Sequence, residues 1–423
     1  MKFSFLNEII FLLNSRVVTV FAFLFTLMLI PSPVQAAHDR FFDVQSIDTM
    51  KFSRDMARDQ GKSPEFKKVI DTQVQQIASS GATHVAIATP YDEEFIPFLT
   101  DWVKAARKHK LRVWYRGNFA GWEQWFSYPR ITREKHTQLV KDFIIKNPTL
   151  FVDGDVFTSC PECENGGPGD PRNTGDVDGY REFLISEYAV TQDAFNQIGR
   201  KVIANYYSMN GDVAELIMDK ETTAKLDGIV TIDHYVLTPE KLNRDINRIA
   251  ETSGGKIVLG EFGSPIPDIH GDMTEEEQKE WLKSLLELIS ANPHVVGVNY
   301  WTGHGSSTEI WTPENRAKKS VDVLRKYYIP LNIHGVVTDN IGRKLSDVTV
   351  SIDGYSISSD KDGQYNAVFV TSDKPLIFSK LGYGSKRLES KDVQEGATNV
   401  TLYPKKPSLL EYIVNLFFSF LRK

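Results

Sequence analysis

Between Phe41 and Ile329 one pattern recurs: a short β-branched or aromatic run, then a longer stretch of helical period. The runs are FFDVQSI, THVAIAT, LRVWYRG, LFVDGDVF, KVIANYY, GIVTIDHY, KIVLGEF and VVGVNYW. Strands alternating with helices predict a parallel sheet, because each strand must return by a crossover. Eight such units over about 290 residues predict an α/β chain folded as a (β/α)8 TIM barrel spanning residues 38–329. A doubly wound open sheet is the runner-up, but no Gly-rich phosphate loop follows the first run. Helix starts carry caps; Thr274 with Glu277 three residues on has the form of a capping box. The longest connections, NFAGWEQWFSYPRIT and CPECENGGPGDPRNTGD, follow the third and fourth strands, at the barrel face where active sites are built.

After YYIPLN the helical period stops, and residues 331–404 read as a small all-β sandwich. HGVVTDNIGRKLSDVTVSIDG, DKDGQY and KLGYGSKRLE resemble the carboxypeptidase regulatory-like (transthyretin-like) module over about 75 residues. That resemblance implies an accessory domain without chemistry of its own.

The ends of the chain differ from its body. Residues 1–36 read as an export signal: Lys2 and Arg16 precede the run VVTVFAFLFTLMLI, and Val34 and Ala36 stand where a signal peptidase reads. An uncleaved anchor is the alternative, and both readings place the body outside the cytoplasm. The tail 405–423 is apolar and ends in Arg422 and Lys423. It reads either as a helix on a membrane surface or as one docked on its own protein. Cys160 and Cys163, in SCPEC, are the chain's only cysteines. Two thiols without a cluster of histidines cannot complete a zinc site. They are read as a local structural disulfide or idle thiols, and exported cysteines are commonly oxidised. A net charge of −6 has no basic footprint and argues against nucleic acid as a partner.

Strand-end residues carry the chemistry. Glu261 follows the mostly apolar run KIVL, with Gly260 just before it and Gly263 two residues after it. The loop after strand four holds Glu162 and Glu164. Strands four and seven face each other across a barrel mouth, and two opposed carboxylates suit glycoside hydrolysis. His234 and Tyr235, ending strand six, are placed to hold a nucleophilic carboxylate, and Trp301 after strand eight offers a flat face to a sugar. Trp114, Trp122, Trp125 and Tyr128 crowd strand three and its loop, as stacking platforms or as core lining. Arg116 and Asn118, at the end of strand three, are candidates to bind hydroxyls or the nucleophile.

The barrel, with LGEFG, resembles glycoside hydrolase clan A, family five and its relatives most. The resemblance implies a nucleophilic glutamate ending strand seven, an acid/base glutamate ending strand four, a His/Tyr element on strand six and a tryptophan on strand eight. Glu261, His234, Tyr235 and Trp301 match those places. One departure stands out: Pro161 precedes Glu162 and Cys163 precedes Glu164, where the clan has asparagine. Glu162 is preferred as acid/base because it falls nearer the strand end, and Glu164 is its rival. The expectation is an exported retaining glycosidase acting on an oligo- or polysaccharide. The rivals are a carbohydrate-binding barrel that has lost hydrolysis and a hydrolase of a non-sugar bond.

No metal or organic cofactor is implied. GDVDGYREF and SDKDGQY do not complete an EF-hand spacing. The chain has neither an H-x-H pair nor a G-x-S-x-G elbow.

Overall fold

The computed structural model describes residues 40–370, 374–389, 393 and 396–405. The signal or anchor reading of 1–36, and the tail but for residue 405, fall outside those residues. Eight parallel strands form one sheet: Val44–Asp48 (β1), His84–Ile87 (β2), Arg112–Tyr115 (β3), Val156–Phe157 (β4), Ser208–Asn210 (β5), Ile229–Asp233 (β6), Lys256–Phe262 (β7) and Val295–Tyr300 (β8). Their order is β4-β3-β2-β1-β8-β7-β6-β5. A parallel bridge between Val156 and Ile203 joins the two ends, with Phe157 N–H donating to Ile203 O at 2.7 Å.

Two strands differ from expectation. The fourth shrinks to Val156–Phe157, because residues 152–155 turn tightly. Gly154 takes φ +85°, and the Asp155 carboxylate accepts from the main-chain N–H of Val152 and Val113, each at 2.9 Å. The fifth ladder forms at Ser208–Asn210 rather than 201–207, of which Ile203 alone bridges to β4.

The helices lie outside the sheet and bury one stripe each. In Pro239–Ser253, Leu242, Ile246, Ile249 and Ala250 recur at helical spacing and are buried. Thr274 and Glu277 complete the expected capping box of Glu275–Ser290. A large apolar cluster fills the space between strands and helices. A separate small one plugs the barrel's inside: Val44, Ala86, Trp114, Val156, Tyr206 and Val258. Among the described residues no helix is long and apolar enough to cross a membrane.

Past the barrel come the antiparallel and mixed sheets of the C-terminal region. One, of Thr349–Ile352, Tyr355–Ser358, Leu376–Ser379 and Lys386–Leu388, faces a second built on Leu331–Asp339 and Gln364–Phe369. They enclose a core of their own, including Ile333, Val350, Tyr365 and Phe378. This region meets the barrel at the N-terminal ends of its strands. Tyr355 lies 6.3 Å from Phe41, just ahead of β1, and its hydroxyl is 3.3 Å from Ser290 Oγ. A chain ending at Pro330 is therefore expected to fold with a lowered Tm, since it uncovers Phe41 and Tyr327. Circular dichroism and a melting curve check this; an insoluble or unfolded product would contradict it.

Candidate active site

Side chains of a strand alternate between its two faces. Trp114 belongs to the inner plug, so Arg116, two residues on, also points inward, one layer nearer the mouth. The same step leads from Tyr206 to Ser208, from Thr231 to Asp233, and from Ser46 to Asp48. Strand β7 breaks the rule. Val258 faces inward and Ile257 and Leu259 outward, so unbroken alternation would send Glu261 outward. The β6–β7 register slips instead: Ile232 pairs with Leu259, and Asp233 with Glu261. This bulge at Gly260 turns Glu261 into the barrel. A Cβ at residue 260 would lie 2.3 Å from Asp233 Oδ1, which is why glycine stands there.

Arg116, fully buried, is the hub of the layer. Its Nη1 donates to Asp48 Oδ2 and to Glu261 Oε1, each at 3.0 Å. Its Nη2 donates to Asp233 Oδ2 at 2.8 Å and to Ser208 Oγ at 3.2 Å. Tyr235 donates its hydroxyl to Glu261 Oε2 at 2.9 Å. Asn299 Nδ2 donates to Asp48 Oδ2 at 3.0 Å and to Gly260 O at 2.9 Å, tying the bulge to β8. One guanidinium cannot offset so many buried carboxylates, so the cluster retains protons near neutrality. Burial, and after it the neighbouring Asp233, push Glu261 upward, while Arg116 and Tyr235 pull it down. Asp233 itself is pushed up to about 8, chiefly by burial.

Glu162 joins this cluster from the loop after β4. Burial, then the charges of Glu261 and Glu164, push its carboxyl up to about 8, and Arg116 opposes them. No hydrogen bond to that carboxyl is present among the described residues, whereas both Glu261 oxygens receive a donor. Hydrogen bonds to a carboxylate favour its charged form. Arg116 and Tyr235 thus favour the charged form of Glu261, and Glu162 has no such donor among the described residues. Glu164 is engaged elsewhere: it is 3% exposed and accepts from Asn210 N at 2.6 Å and from Asn210 Nδ2 at 3.0 Å, at the end of β5.

The remaining sequence candidates separate by environment. Trp301 is half-buried beside Tyr235, with ring centroids 6.0 Å apart, and its indole N–H has no partner among the described residues. Lys51 Nζ lies 5.7 Å from its ring. Trp125 is half-buried under the Arg54 guanidinium, 4.6 Å away. Trp114 belongs to the plug. Trp122 is buried, stacked on Phe183 at 5.4 Å, and donates its N–H to Cys163 O at 3.1 Å. Asn118 is buried too, its amide spent on the Phe119 N–H, His136 and Cys160. The His234 ring binds Asp245 at 2.9 Å, and only its main-chain N–H reaches Glu261, at the carbonyl oxygen.

Asp48, Ser208 and Asp233 were not singled out in the sequence, although each lies two residues beyond an inward strand position. Glu123 was also missed. It is a half-buried carboxyl in the loop after β3, pushed up to about 7 chiefly by burial.

The raised Glu162 carries a stability consequence. A carboxyl whose folded-state pKa lies above its unfolded value favours folding below the unfolded pKa. That contribution is lost as pH rises through the folded pKa, here from about 4.5 to about 8. Glu162→Gln, which cannot ionise, is expected to raise Tm at pH 8 by roughly 2 °C or more and to leave it unchanged at pH 4. Calorimetry at both pH values checks this; an equal shift at both would contradict it.

No family model matches the chain, and no curated protein does. Among solved structures, an FMN-binding beta-glucuronidase from Facaelibacterium prausnitzii L2-6 aligns with a TM-score of 0.45 and 12% identity, over 76% of this chain and 53% of the other. A beta-glucuronidase from Ruminococcus gnavus aligns at 0.44 and 13%, over 62% and 45%. A fungal beta-1,4-galactanase aligns at 0.46 and 14%, over 67% of this chain and 99% of its own. The chain spans about half the length of those glucuronidases.

Proposed function

We propose that the chain is an exported glycoside hydrolase that cleaves an O-glycosidic bond with retention of configuration. The observation that carries this reading is the pairing of two unlike glutamates at the barrel mouth. Glu261 is held by Arg116 and Tyr235. The Glu162 carboxyl accepts no hydrogen bond among the described residues and is pushed up to about 8. Glu261 attacks the anomeric carbon as the carboxylate while Glu162 gives its proton to the leaving oxygen. Glu162 then takes a proton from water as that water displaces Glu261. Arg116 stabilises the attacking charge, and Tyr235 fixes the oxygen that does not attack. Trp301 supplies the platform beneath the sugar, with its free indole N–H toward a hydroxyl. The sheets of residues 331–404 stand at the opposite end of the barrel and contribute no group to the chemistry.

The test is labelling with 2-deoxy-2-fluoro glycosyl fluorides of several configurations, followed by peptide mass spectrometry. A single adduct on Glu261 is expected. An adduct on another residue, or none with any configuration, would sink the assignment. Pro161 in place of an asparagine before Glu162 favours a second reading, a barrel that binds glycans without cleaving them. Binding on a glycan array without release of reducing sugar would select it.

A further inference from the structure

We propose that the Cys160–Cys163 disulfide is the positioning device of the acid/base, closing a four-residue ring around Glu162 and holding its carboxyl at the barrel mouth. The inference rests on Glu162 being the acid. Inside that ring Pro161 has its φ set by its own ring. Glu162 sits at φ 44°, ψ 49°, a left-handed conformation that is unfavourable for a side-chain-bearing residue. An open chain would relax from it and swing the Cα–Cβ bond away.

The ring is fastened at several points. Glu162 N–H donates to Ser208 O at 2.8 Å, and Ser208 is the residue whose hydroxyl meets Arg116. Trp122 donates to Cys163 O at 3.1 Å, and Asn118 Nδ2 reaches Cys160 Sγ at 3.6 Å. Asn118 is in turn held by His136, which binds the buried Glu187 at 2.7 Å. The buried loop residues that the proposed chemistry leaves unused thus form a clamp on the disulfide ring. Both cysteines are buried, at 0% and 2% exposure, so the bridge is a lock rather than a redox switch.

The discriminating readout is leaving-group dependence, because a phenyl glycoside needs its oxygen protonated and a 2,4-dinitrophenyl glycoside does not. The probes are these two aglycones on β-D-glucoside, -galactoside, -mannoside and -glucuronide. Cys160→Ser/Cys163→Ser is expected to lose at least about 10-fold more kcat/KM on the phenyl than on the dinitrophenyl substrate. Its alkaline limb should move toward lower pH as the carboxyl becomes solvated. Equal losses on both, or none, with an unmoved limb would overturn the proposal. Glu162→Ala is the control for the premise: if it shows no leaving-group dependence, the acid has been misassigned and the inference falls with it. A second arm uses the wild-type chain, reduced with TCEP and then reoxidised. The dependence should appear and disappear with the bridge, and its failure to do so counts against the proposal if the serine variant does not fold. A third arm needs no substrate. Stability lost between pH 4 and pH 8 should shrink in the reduced chain; an unchanged loss would overturn the proposal.

Discussion

Replacing Glu261 by glutamine is expected to lower kcat/KM at least about 10³-fold, with the fold intact. The expected size follows from the role: a nucleophile forms a bond that exists only beyond the ground state, so its loss falls on kcat rather than on KM. The amide preserves the shape. Its oxygen still accepts from Arg116 Nη1, and its NH2 group faces the Tyr235 oxygen, which can accept as well as donate. One negative charge leaves a crowded acidic cluster, so Tm should change little or rise. Steady-state kinetics and a melting curve on one preparation check both parts. More than a tenth of the wild-type rate, worth only ~1.4 kcal/mol of barrier, would remove Glu261 from the chemistry.

Glu162→Ala should cost about 10²–10⁴-fold on a substrate with a poor leaving group, the range general acid catalysis supplies. The step that forms the glycosyl-enzyme should survive on a dinitrophenyl glycoside, because that leaving group departs without a proton. Azide should then restore turnover and yield a glycosyl azide of retained configuration. The pH profile has a definite sign. The acid must be protonated and its carboxyl is raised to about 8, so wild-type kcat/KM should fall above about pH 8. In Glu162→Ala that limb should vanish. Glu164→Ala is the counter-test. Its carboxylate holds the Asn210 N–H and amide, so its loss should lower stability rather than create an azide-rescued enzyme. Rescue in Glu164→Ala alone would move the acid two residues along the chain.

Much of the fold was legible because the repeat has a mechanical meaning. A strand followed by a helix, eight times over, has few ways to bury its apolar faces, and the parallel barrel is one of them. Glu261, Tyr235, Trp301 and Arg116 could be named because each stands at the C-terminal end of a strand, and in a barrel those ends converge. Asp48 and Asp233 carried the same signal, in DVQSID and TIDHY, and counting alternate residues from the inner plug would have found them. Trp122 and Asn118 show the limit of residue type. Their chemistry suits a sugar site, but the loop closes over them, against Phe183 and around Cys160.

By itself, the sequence determined the number of strands, the end of the barrel at which the buried acidic cluster gathers, and the residue types available there. Which way Glu261 points was decided only by the tertiary structure. Alternation along KIVLGEF puts Glu261 with Ile257 and Leu259, on the face toward the helices. Strand β6 overrules that parity. Asp233 occupies the space that a side chain at residue 260 would need, the ladder skips Gly260, and the glutamate rotates inward onto Arg116 and Tyr235. A bulge is a property of two strands in register, and neither strand carries it alone.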